Sequence, residues 1–316
     1  MPLYYKVFSF FFALLYAYFL TNLPLLDLVD RENYLSYTEL SSVHLIGYLN
    51  SGFIKLLTNE PLWLTLNIVL GLFLEPENVL RTIIFFPAFI VSYLVIVKEP
   101  KIFLWAVFIL FFPLVIKNHI IHLRQGVAIA VFVIGYLGGY RSTIKNILII
   151  STIFIHSSFY FVVLFYYTVI FINNIKISLD LKLSLVVLFC VAIGLSIGVL
   201  VEFTGARQVQ RIENASGGSS GLSFVFWLLI FISIIIQKKS YIRSNLFSLS
   251  QIILYLSTYF TFPYTARIFE SSMIVILLSV VDVKSYKKFI PISMLVLLCF
   301  YLWAGRFQLP YYGFGV

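Results

Sequence analysis

Long apolar runs follow one another along almost the whole chain, at residues 3–26, 78–97, 101–116, 123–138, 181–203, 222–237, 246–262, 265–281 and 287–304, with basic residues gathered in the short turns between them. Runs of this kind approach the roughly 20 residues that carry a helix across a hydrocarbon layer about 30 Å thick. In lipid only helices and closed barrels satisfy the backbone's hydrogen bonds, and these runs are too long and too uniformly apolar for barrel strands. The sequence therefore predicts an all-α, polytopic integral membrane bundle of about 10–13 membrane segments, forming a single membrane domain over residues 1–316. Composition agrees, since only 11% of residues are charged and 61% are hydrophobic, against roughly 25% charged in soluble domains.

Two regions resist a simple reading. Residues 143–174 are too long for one span and carry His156, Ser157 and Ser158 at their midpoint, so a bend there is expected to make a hairpin. Residues 41–75 are only moderately apolar; they cross twice, dip in and return, or lie on the outer surface. The N-terminal run has one early lysine and no small-x-small cleavage site, so the first span is expected to be retained. Cys190 and Cys299 both fall inside apolar runs, which argues against a disulfide framework.

The net charge of +9 comes without any basic run longer than two lysines, so topology, not nucleic acid, accounts for it. With the N-terminus inside, the inner set is Lys6, Lys98, Lys101, Arg141, Lys145, Lys176, Lys182, Lys238, Lys239, Arg243, Lys284, Lys287 and Lys288. It is lysine with two exceptions. The opposite set, Arg31, Lys117, Arg124, Arg207, Arg211, Arg267 and Arg306, is arginine with one. Lysine suffices as a topology charge, whereas arginine forks onto carboxylate or phosphate and stays charged when partly desolvated. The outer arginines thus serve either an anionic ligand or ion pairs with Asp27, Asp30, Glu32, Glu39, Glu202 and Glu213.

Several constellations can carry chemistry. In "HIIHLRQG", His119, His122 and Gln125 recur every three residues, one helix face, with Arg124 on a neighbouring face. The group can hold a phosphate and orient a hydroxyl, anchor a helix at the interface, or, less well without a carboxylate or cysteine, ligate a metal. In "FPYTARIFESS", Tyr264, Arg267 and Glu270 share a face near a span's end, as a site or as a helix-locking bridge. His156 is a catalytic candidate or a bonded packing residue. The loop 204–221 holds Arg207 and Arg211 four apart before a Gly/Ser stretch, and reads as a mobile lid or an exposed connector.

"LRQGVAIAVF", then "FIHSSF" and "YTARIFESSMIV", with "DRENYLSYT" and "TNEPLW" before them, resemble in order and spacing the EpsG-like branch of the Wzy-type O-antigen and capsular polysaccharide polymerases. "DRENY" stands where many members have a Gly-Thr-Asp-Tyr run. The resemblance implies a glycosyltransferase that joins oligosaccharide repeat units carried on undecaprenyl diphosphate, at the outer face of a bacterial inner membrane. It needs no metal or cofactor. Its partners would be the lipid-linked donor and acceptor, membrane lipid, a flippase and a chain-length regulator. It also implies roles: Arg124 and Arg267 on the diphosphate, Arg207 or Arg211 closing over it, and His119, His122 or His156 as base or acceptor-orienting group. Asp30 and Glu60 are carboxylate candidates, and Tyr34, Gln125, Tyr264 and Glu270 substrate contacts. A lipid-linked oligosaccharide flippase and a membrane acyltransferase are the rival readings. The flippase would be expected to show two similar halves, which this sequence lacks.

Overall fold

Backbone that must bury its own hydrogen bonds becomes helix, and the computed structural model of the chain is all-α, its described residues showing no more extended pairing than an isolated bridge between Leu28 and Gly315. It describes residues 2–98, 100–204, 221–262, 264–283 and 289–315, without side chains for 197–204. The chain forms two compact units, one of Met1–Phe159 with Cys299–Val316 and one of Tyr160–Leu298.

The first unit is built on α1 (Leu3–Thr21), which packs along α5 (Pro76–Val97). Ala13 and Ala17 of α1 and Ala88 of α5 are fully buried, the small residues that let helix backbones approach in a membrane. Tyr5 and Tyr16 donate their hydroxyls to the carbonyls of Ile96 and Leu110. Arg81 pairs with Glu77 one turn earlier and donates to the carbonyl of Thr21, capping the last turn of α1. Between these helices lie α2 (Arg31–Asn50), α3 (Phe53–Thr58) and α4 (Pro61–Gly71), with α2 packed against α4. The 11 residues of α4 reach about 16 Å, half a hydrocarbon core, which opposes two full crossings by residues 41–75.

The span expected at 101–116 is instead a bent pair, α6 (Phe103–Leu110) and α7 (Pro113–Ile120), turned by 66°. Pro113 is the cause: it drives Phe112 into extended backbone at φ −67°, ψ 128°. After a second break come α8 (Leu123–Leu137) and α9 (Ser142–Ser151). A 3₁₀ turn at Thr152–Phe154 ends that arm, and helix resumes only at Phe159, so the break expected at His156–Ser158 is present.

The second unit holds α10 (Phe159–Asn174), α11 (Leu179–Thr204), α12 (Leu222–Ile235), α13 (Lys239–Ser244), α14 (Leu246–Thr258), α15 (Thr265–Val281) and most of α16 (Phe289–Arg306). α14 packs on α11, α12 and α15. α15 is buried on almost every face, which is why its sequence shows no polar stripe. Among the described residues four stretches are long and apolar enough to cross a membrane, Leu3–Thr21, Pro76–Val97, Leu179–Ser196 and Phe289–Arg306. The spans expected at 123–138, 222–237 and 246–262 are apolar helices of 15, 14 and 13 residues, about 20 Å each. Apolarity alone overstates helix length here, because in a bundle the non-helical backbone that ends them can be buried by protein.

Candidate functional site

Glu60 is the N-cap of α4, and it takes a left-handed conformation (φ 59°, ψ 53°). Pro61 bars Glu60 from right-handed helix, and a non-glycine residue there is strained by about 1 kcal/mol or more. Its side chain does not cap its own helix. It reaches across the first unit: Oε2 accepts from Arg124 Nη1 at 2.6 Å, while Oε1 lies 2.8 Å from His156 Nδ1 and accepts the Ser157 backbone N–H at 3.1 Å. Both carboxylate oxygens are thereby committed to partners 64 and 96 residues away.

Each partner is delivered by an element end. Arg124 is the second residue of α8, and His156 sits in the non-helical break after the 3₁₀ turn. The carboxylate is only 9% exposed, whereas the Arg124 side chain is 29% exposed. Burial by itself pushes the Glu60 carboxyl up, but the guanidinium and the imidazole outweigh it and hold this inter-helix residue well below the ordinary carboxylate range. A carboxylate on Nδ1 fixes the ring with its proton there and leaves Nε2 able to take one from a hydroxyl.

Aromatic rings frame the cluster. Arg124 lies over the ring of Tyr37, 5.2 Å from its centroid, and also interacts with Tyr34. Tyr34 and Tyr37, three apart on α2, both meet Trp63 edge-on, at 5.9 and 6.3 Å between centroids. Tyr37 and Trp63 are functional neighbours that sequence reasoning missed. The signal was present: Trp63 lies one turn after Glu60 in "EPLW", and Tyr37 one turn after Tyr34.

Arg124, Glu60, His156 and Tyr34 are thus brought together, and the histidine motif is corrected. His119 and His122 do not share a helix face, because α7 ends at Ile120 and His122 has non-helical backbone (φ −94°, ψ 65°) before α8. His119 is buried at the end of α7 with neither ring nitrogen hydrogen-bonded, and Gln125 is buried in the first turn of α8. Asp30 is the exposed N-cap of α2, also left-handed at φ 63°, and its Oδ1 accepts from Asn33. Tyr264, Arg267 and Glu270 belong to the second unit, at the start of α15, with Glu270 buried near Tyr255. Arg207, Arg211 and almost all of the loop 204–221 lie outside the described residues. Among the described residues no three His, Cys, Asp or Glu side chains are grouped to hold a metal ion.

No curated protein and no solved structure matches the chain significantly. The family model of the EpsG family matches residues 4–311, nearly the whole chain. The chain therefore belongs to the EpsG family, a Wzy-like polysaccharide polymerase family, and is a membrane-embedded, glycosyltransferase-like polymerase.

Proposed function

We propose that the chain transfers a growing glycan from undecaprenyl diphosphate to the non-reducing end of a new lipid-linked repeat unit, at the outer face of a bacterial inner membrane. The observation that carries the reading is Glu60 bridging Arg124 and His156 from a strained backbone position. Strain of this kind persists where surrounding structure holds it for a function.

Chemically, the acceptor hydroxyl forms a bond to the anomeric carbon of the donor glycan as the bond from that carbon to the diphosphate breaks. The diphosphate is already a good leaving group, so two tasks remain: removing the hydroxyl proton and neutralising charge on the leaving oxygen. His156, oriented by Glu60, takes the proton on Nε2 and passes it to solvent. Arg124, already paired with Glu60, keeps that carboxylate ionised and in place. Tyr37 and Tyr34 fix the guanidinium. A flippase supplying the lipid-linked unit and a chain-length regulator are the protein partners this reaction calls for.

The test is the glycan carried by cells whose chromosomal copy is replaced with Glu60→Gln or His156→Ala. The reading expects single repeat units held on the lipid carrier. Loss of all exported glycan would favour a flippase instead, and full-length chains lacking one substituent would favour an acyltransferase.

A further inference from the structure

Arg31, the first residue of α2, is 2% exposed, and none of its three guanidinium nitrogens has a hydrogen-bond partner. A buried cation is ordinarily compensated by a counter-charge or a full set of acceptors, because removing it from water is expensive. The nearest acid in sequence, Asp30, is exposed, and its Oδ1 accepts a hydrogen bond from Asn33 Nδ2. Burial pulls the guanidinium down to about 10, against the raising effects of Tyr34 and Asp30, so Arg31 is still a cation at neutral pH.

Its surroundings are rich in donors. Tyr34, three residues on and so on the same face of α2, couples to Arg31 and also to Arg124. Tyr34 packs edge-on against Trp63, a fully buried side chain whose indole N–H also has no acceptor. Asp30 acts on Arg31 only through space, with no hydrogen bond between them, so the charge is compensated only in part. The two arginines flanking Tyr34 therefore differ: Arg124 is neutralised by Glu60, and Arg31 by no hydrogen-bonded acid.

We propose that Arg31 is the residue that binds the anionic diphosphate of the lipid-linked substrate, the Arg31 fork gripping phosphate oxygens beside the Glu60–His156 pair, with Tyr34 separating the two charges. A planar fork of donors matches phosphate oxygens, which only accept. The inference rests on the polymerase reading, and it divides labour between the two arginines. Arg31 holds the leaving group, and Arg124 holds the carboxylate that orients the base.

The experiment is equilibrium binding of farnesyl diphosphate, inorganic pyrophosphate and phosphatidylglycerol vesicles to the full chain in detergent micelles. Arg31→Met, Arg31→Lys and Arg124→Lys are compared with wild type, each also followed by thermal unfolding. Farnesyl diphosphate is expected to bind wild type and to bind both Arg31 variants at least about tenfold more weakly, with Arg124→Lys changed less. Pyrophosphate should follow the same order. Arg31→Met should unfold at the same or a higher temperature, because it removes a buried charge that has no hydrogen-bonded counter-charge; this separates lost binding from lost structure. Unaltered farnesyl diphosphate binding in Arg31→Met, no binding by wild type, or an Arg31 dependence confined to phosphatidylglycerol would each overturn the assignment. A failure of the polymerase reading is distinguishable, since it would appear as full-length glycan in Glu60→Gln cells while Arg31-dependent diphosphate binding persisted.

Discussion

Glu60 Oε1 lies 2.8 Å from His156 Nδ1 although 96 residues separate the two in sequence, and the other oxygen of the same carboxylate is held by Arg124 at 2.6 Å. One side chain thus ties the entry of α4, the entry of α8 and the break after α9. Removing its charge has two separable effects. Glu60→Gln leaves Arg124 without its counter-charge, which is expected to cost about 1–3 kcal/mol, below the figure for fully buried pairs because Arg124 is partly exposed. It also releases the His156 ring, and the rate of polymer formation should fall by about 10²–10⁴-fold. Thermal unfolding and polymerisation by the purified chain read the two effects separately. A loss confined to stability would remove the case for a catalytic pair.

The pH dependence of the same contact has a definite sign. The folded carboxyl titrates below its ordinary value of 4.5, because Arg124 and His156 outweigh the opposing effect of burial. A depressed carboxyl contributes its stability in full above the unfolded pKa and loses it as pH falls toward the folded one. The difference in melting temperature between wild type and Glu60→Gln should therefore be constant from pH 7 to about 5 and shrink at more acid pH. A difference that grows on acidification would contradict the pairing.

Arg124→Lys isolates the shape of the guanidinium from its charge. The arginine reaches Glu60 with Nη1 while its plane lies over Tyr37, and an ammonium cannot do both with the same geometry. Polymer formation is expected to drop about tenfold, with His156→Ala far more severe, and in-cell glycan laddering would rank the two. Equal severity would mean that Arg124 touches the reacting atoms itself.

Much of this site was legible one residue at a time. Ionisable side chains in apolar surroundings are rare and costly, so Arg124 and His156 stand out in the sequence, and Glu60 and Tyr34 gained their places through the family resemblance. The pairing was not legible, because spacing reports neighbours within one helix and these partners come from three separate elements. The histidine motif misled for a related reason: a three-residue repeat implies a shared face only if the helix is continuous, and α7 ends between His119 and His122. Arg31 looked like one more outer-face charge, since nothing in "DRENY" says that its guanidinium is buried and Asp30 is not.

Gly126 lets α8 pack closely on the end of α7 after that break, and gives a last test. α8 presses so closely on the end of α7 that a Cβ at residue 126 would lie 2.4 Å from the carbonyl oxygen of Asn118. The obstacle is backbone, so no side-chain rotation relieves it. Gly126→Ala must push α8 away from α7 and carry Arg124, two residues earlier, out of line with Glu60. The variant is expected to lose about 1–3 kcal/mol of stability, and polymer formation should fall with it although no ionisable group has changed. Gly47→Ala is the matched control: Gly47 is exposed inside α2 with nothing within 4 Å of the added carbon. There alanine should be neutral or stabilise by up to about 1 kcal/mol, because glycine weakens a helix interior. Thermal unfolding of both variants with a polymer assay decides the matter; a Gly126→Ala protein as stable and active as Gly47→Ala would mean that α7 and α8 yield without moving Arg124.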